Sequence, residues 1–73
     1  MQIVYTDHAT ERLRDRGISK KFVRDALKHG QKREQQPDGS IKLTHAQNNR
    51  NLIVIYQVSG KDKYLIITSY YDN

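Results

Sequence analysis

Residues 52-LIVIYQVSGKDKYLIITSYY-71 decide how this chain folds. The run 52-LIVIYQV-58 is apolar on both alternations, as expected of a central strand covered on both faces. The run 64-YLIITSYY-71 is nearly as continuous and is rich in β-branched and aromatic residues, which suit a pleated surface. Between them, 59-SGKDK-63 carries turn chemistry, so the two strands read as an antiparallel pair. Strict alternation groups Tyr64, Ile66, Thr68 and Tyr70 on one face of the last strand. It groups Leu65, Ile67, Ser69 and Tyr71 on the other.

Reading backwards, 48-NNRN-51 is a second turn, with Arg50 in it. Before it, 31-QKREQ-35 and 41-IKLTHAQ-47 flank 36-QPDGS-40, where proline presets φ and glycine tolerates a positive φ. A hairpin follows from that arrangement. In its second strand Ile41, Leu43 and His45 share the face expected to meet the helices; Lys42, Thr44 and Ala46 look the other way.

The front of the chain changes period. Residues 2–5, QIVY, form a short lead-in strand, and Thr6 or Asp7 can cap a helix behind it. Ala9 and Leu13 make a narrow apolar stripe; His8, Arg12 and Arg16 step along beside it at i, i+4, i+8. Gly17 suits the left-handed position that closes a helix. Ser19 caps a second helix, 20-KKFVRDALKH-29, whose Phe22, Val23, Ala26 and Leu27 share a face, and Gly30 ends it. Ile18 and Val23 form a hydrophobic staple across the cap. The expectation is therefore an α+β domain over residues 1–73. Two N-terminal helices pack on one face of a four-stranded antiparallel β-meander.

Composition bounds the function. The chain has 73 residues, 13 Lys+Arg against 8 Asp+Glu, and a net charge of +5. Nine of those cations lie in residues 1–36, so the excess sits with the helices. A basic balance of this kind favours an anionic partner such as nucleic acid. There is no cysteine, hence no disulfide, thiolate metal site or cysteine nucleophile. No apolar run approaches the roughly 20 residues that span a bilayer, and 1-MQIVYTDH-8 lacks the pattern of a signal peptide. The expected compartment is the cytoplasm.

His8, His29 and His45 form no pair at ligand spacing, the acids are scattered, and no glycine-rich phosphate loop or GxSxG elbow is present. Neither a metal nor an organic cofactor is expected. The remaining His, Arg, Lys, Thr and Tyr suit metal-independent cleavage of RNA by its own 2′-hydroxyl. Histidine can move the protons near neutral pH, and arginine offers a fork of donors to phosphate oxygens. Tyrosine can donate a proton or stack on a base. His8, Arg12 and Arg16 are the first candidates. Tyr70 is a further catalytic candidate, and Lys42, His45 and Arg50 are candidate substrate contacts. Each has a plainer reading: a solvated helix face with Glu11 and Asp15 as ion-pair partners, a histidine at the sheet rim, a tyrosine covering a thin sheet.

The segment 8-HATERLRDRGIS-19, followed by the basic hairpin and 64-YLIITSYY-71, resembles a small bacterial family known as domain of unknown function 4258. Its pattern is His-Ala-x-x-Arg-x-x-x-Arg-Gly-Ile-Ser, then a hydrophobic strand pair ending in a Thr-containing strand. The resemblance implies kinship with RelE-, BrnT- and colicin-like RNases, small α+β domains that cut RNA without a metal. It implies His8, Arg12 and Arg16 as motif positions, with Thr68 on the last strand. It also implies RNA as substrate and a cognate antitoxin as possible partner. A non-catalytic nucleic-acid-binding or protein-interaction module of the same fold is the alternative.

Overall fold

Local chemistry sets the element boundaries in the computed structural model, which describes residues 1–72. Strand β1, Gln2–Tyr5, leads into helix α1, Asp7–Arg16. The Thr6 hydroxyl oxygen accepts from the Ala9 N–H at 2.9 Å and so caps the helix. Gly17 adopts φ 65°. Its N–H reaches the Arg14 carbonyl at 3.3 Å, while the Ile18 N–H reaches the Leu13 carbonyl at 2.9 Å. Those two bonds are a Schellman closure, which needs the left-handed residue that glycine supplies. Helix α2, Lys20–His29, starts at once, capped by the Ser19 hydroxyl.

Four strands follow: β2, Lys32–Gln35; β3, Ile41–Gln47; β4, Arg50–Gly60; and β5, Lys63–Asp72. The Asn48–Asn49 connection has φ 51° and 65°, the paired positive values of a type I′ hairpin turn.

Two expectations about the sheet are corrected. The sheet has five strands in the order β1-β5-β4-β3-β2, and it is mixed. The QIVY segment does not merely lead in: β1 pairs in parallel with β5, from Gln2↔Lys63 to Tyr5↔Ile66. So the expected four-stranded antiparallel meander is a five-stranded mixed sheet, with the opening strand as its parallel edge. The short apolar QIVY run can pair only where a strand edge is free, and β5 offers one. The helices also divide the sheet between them. α1 lies over β5 and β1, α2 over β3 and β4.

The core is one cluster. Ala9 and Leu13 of α1, Ile18 of the turn, and Val23, Ala26 and Leu27 of α2 meet Leu43, Leu52, Val54, Tyr56 and Ile66 of the sheet. The staple residues Ile18 and Val23 are both buried.

The second correction concerns β5. Tyr56 pairs with Ile66 but Ile55 with Thr68, so Ile67 is an extra residue in a β-bulge. The bulge breaks strict alternation. Ser69 and Tyr71, paired with the core residues Val54 and Leu52, share the helix side with Ile66. Thr68 and Tyr70, paired with Ile55 and Ile53, look to the opposite face. No helix among the described residues is long and apolar enough to cross a membrane.

Candidate functional site

Unequal strand lengths create the site. β1 ends at Tyr5, opposite Ile66, whereas β5 runs on to Asp72. Beyond Ile66, no further strand among the described residues pairs with that edge of β5. The last turn of α1 serves it instead. The Arg16 guanidinium donates from Nη1 to the Ser69 carbonyl at 2.8 Å, and its central carbon lies 5.9 Å from the centre of the Tyr70 ring. A cation in the last turn also complements the helix dipole.

Arg50 approaches from the other side. It opens β4 directly after the type I′ turn and pairs with Gln47. The expectation of a turn residue is thus corrected: the tight turn ends one residue earlier. The Arg50 guanidinium carbon sits 3.7 Å from the centre of the Tyr71 ring, a stacked cation–π contact. Arg16, Arg50, Tyr70 and Tyr71 together wall a hollow of about 480 Å³. Tyr70 and Tyr71 are neighbours on one strand and project to opposite faces, so the hollow wraps around the open edge of β5. Among the described residues, no carboxylate stands in its walls. Two guanidiniums and two phenols make a surface that can hold phosphate oxygens and stack bases.

The other candidates are dispersed. His8 is exposed in the first turn of α1. Arg12 is partly exposed, its Nη1 3.9 Å from Asp15 Oδ2. A helix rises about 1.5 Å per residue, so His8, Arg12 and Arg16 follow one another at roughly 6 Å steps along the axis. Of that row, only Arg16 enters the hollow. Thr68 lies on the face away from the helices, in one cross-strand row with Ile55 and Lys42. His45 lies on the helix side, opposite Leu52, and is half-buried. Its Nδ1 is enclosed without a hydrogen-bond partner, as is Oε1 of Gln47 two residues on. Lys42 and His45 therefore occupy opposite faces and cannot act as one patch with Arg50.

Tyr71 was not among the candidates. Its signal was present in the sequence, since Tyr70 and Tyr71 end the same strand, but the bulge that turns them around the edge has no signature there. Among the described residues, no group of three His, Asp or Glu side chains is gathered in a way that could hold a metal ion.

No curated protein and no solved structure shows a significant match to the chain. The sequence model of one family does match, over residues 5–71, which spans both helices and nearly all of the sheet. On that match the chain belongs to the family described as domain of unknown function, DUF4258.

Proposed function

We propose that this protein is a metal-independent endoribonuclease of toxin type, acting in the cytoplasm on single-stranded RNA bound in the Arg16–Arg50 hollow. The observation that carries the reading is the pairing of two guanidiniums with two tyrosine rings around one hollow. In such a site the guanidiniums hold the scissile phosphate, and a flanking base stacks on a ring. The RNA 2′-oxygen forms a bond to phosphorus, and the bond from phosphorus to the 5′-oxygen breaks, leaving a cyclic phosphate. Arg16 and Arg50 stabilise the charge that gathers on the phosphate oxygens. Tyr70 supplies a proton to the departing 5′-oxygen. The 2′ proton passes to solvent water, since His8 lies two helical turns from Arg16, roughly 12 Å along the axis, out of hydrogen-bond reach. In a toxin–antitoxin setting, an acidic antitoxin segment would cover the same basic surface.

One observation favours a second reading, RNA binding without cleavage: neither His8 nor His45 stands in the walls of the hollow. The test is incubation of purified protein with RNA in a chelating buffer, with the products analysed for cyclic-phosphate ends. The nuclease reading expects such ends from the parent and their loss in Arg16→Ala and Arg50→Ala. Salt-sensitive binding of RNA that stays intact overturns it in favour of the binding module.

A further inference from the structure

A second hollow, of about 580 Å³, opens between β1 and the start of α2. Tyr5 stands in one wall, and Lys20, Lys21 and Arg24 stand in the other. The Lys20 ammonium lies 4.8 Å from the centre of the Tyr5 ring. Burial pushes the Tyr5 hydroxyl above its ordinary pKa, and the positive charge of Arg24 opposes that shift. The Arg24 charge is thus felt at the phenol, which remains a protonated donor.

The fold gives Lys20 a cation–π contact with Tyr5, but the helix itself disfavours positive charge at its start. Lys20 and Lys21 are the first two residues of α2, where positive charge opposes the helix dipole by roughly 0.3–1 kcal/mol each. The first turn holds no acidic residue to offset them. None of the ion pairs formed among the described residues uses Lys20, Lys21 or Arg24. Three uncompensated cations beside a phenol donor, around a hollow, match the needs of a phosphate-bearing ligand.

The hollow is also close to the first. Arg16 ends α1 and Lys20 begins α2, so only the Gly17–Ser19 connection separates them. Four residue steps reach at most about 14 Å between Cα atoms. Both hollows pair cations with tyrosine rings, the combination that grips single-stranded nucleic acid.

We propose that the second hollow is a phosphate subsite for the single-stranded RNA that leaves the Arg16–Arg50 hollow. Lys21 and Arg24 hold backbone phosphates there, and the Tyr5 hydroxyl donates to a phosphate oxygen. This rests on the RNA reading of the first hollow and extends it to the length of strand the protein engages.

The experiment uses oligoribonucleotides whose 2′-hydroxyls are methylated to block cleavage, from a dinucleotide to an octanucleotide, with the full chain. The parent with the dinucleotide tests the first hollow; no binding there overturns the RNA reading itself. The parent should then gain affinity with length. Lys21→Ala with Arg24→Ala should bind the octanucleotide roughly 10- to 30-fold more weakly and lower the slope of log K against log salt by about 1.4, for two single-strand phosphate contacts. The melting temperature of the double variant should hold or rise, since a cation leaves the first turn of α2. An unchanged octanucleotide affinity in the double variant overturns the subsite. So does tight binding of a polyglutamate peptide that requires Lys21 and Arg24 and is not displaced by the octanucleotide.

Discussion

Arg33 donates from Nη1 to the Tyr56 hydroxyl at 2.7 Å. Its Nη2 donates to the Leu27 carbonyl, also at 2.7 Å. One side chain on the edge strand β2 thus ties a buried tyrosine of β4 to the C-terminal turn of α2. The Leu27 carbonyl is one of those a helix end leaves without an intrahelical partner. Arg33→Ala should therefore cost about 2 kcal/mol, as two charge-assisted bonds are lost and the Tyr56 hydroxyl is left enclosed. In a domain of this size that lowers the melting temperature by roughly 8–16 °C. Tyr56→Phe removes one bond and should cost about half as much. A melting curve of Arg33→Ala that overlays the parent would show that the edge strand is held by its backbone ladder alone.

The Arg33 bridge marks the limit of what the sequence disclosed. Elements whose identity depends on neighbouring residues were legible: Thr6 and Ser19 as caps, Gly17 as a left-handed stop, PDGS as a hairpin turn. Distant relationships were not. The parallel pairing of QIVY depends on β5 exposing an edge 61 residues further on, at Gln2↔Lys63. Nor does any local pattern announce the bulge at Ile67, which swaps the faces of Ser69 and Thr68. The site suffered in proportion. Arg16, Arg50 and Tyr70 were identifiable from their chemistry. That Arg16 would meet Arg50 across a strand end, while His8 would not, depends on those two nonlocal features.

Gly30 separates two reasons for a glycine. Its φ of −58° is open to any residue, so conformational freedom is not the reason. A Cβ there would run into the Leu43 side chain and stand 2.6 Å from the Ala26 carbonyl oxygen. Leu43 is fully buried and has little room to move away. Gly30→Ala should cost about 1–3 kcal/mol through overpacking. Gly17→Ala meets no atom within 4 Å and should cost roughly 1–2 kcal/mol through its left-handed backbone alone. Leu43→Ala is itself costly at this buried site, but it should cost less in the Gly30→Ala background than in the parent and the same in the Gly17→Ala background, as read by denaturant melts.

Asp38 gives the hairpin a pH dependence of known sign. Its Oδ1 accepts from the Ser40 hydroxyl at 2.6 Å and from the Ser40 N–H at 2.9 Å. The hydroxyl bond, then the backbone bond, hold its pKa below the ordinary aspartate value. A carboxylate depressed in the folded state adds stability above its unfolded pKa and loses it as pH falls through the folded one. Asp38→Asn keeps the shape but lacks the charge. The melting-temperature gap between parent and Asp38→Asn should therefore be constant near neutrality and close in acid, below the usual aspartate range. A gap that widened in acid would contradict the hydrogen-bond assignment.

Arg16 is bound to the fold and open to a ligand at once, and a lysine can separate those roles. The Ser69 carbonyl takes one nitrogen of the guanidinium at 2.8 Å. The planar fork leaves its remaining N–H groups for phosphate oxygens in the hollow that Arg16 shares with Arg50. An ammonium is a compact point charge without that rigid fork. If Arg16→Lys keeps the bond to Ser69, its nitrogen is committed to the edge of β5 and offers phosphate a weaker, singly directed contact. Stability should then fall by less than about 1 kcal/mol, since one solvent-accessible hydrogen bond is altered rather than lost. RNA affinity should fall about tenfold, equivalent to about 1.4 kcal/mol. Equal RNA affinity for parent and Arg16→Lys, measured by titration at fixed salt, would mean that any cation suffices and that the fork does not read the phosphate. A large loss of stability would instead mean that the bond to Ser69 is the residue's main task, with the open edge of β5 depending on it.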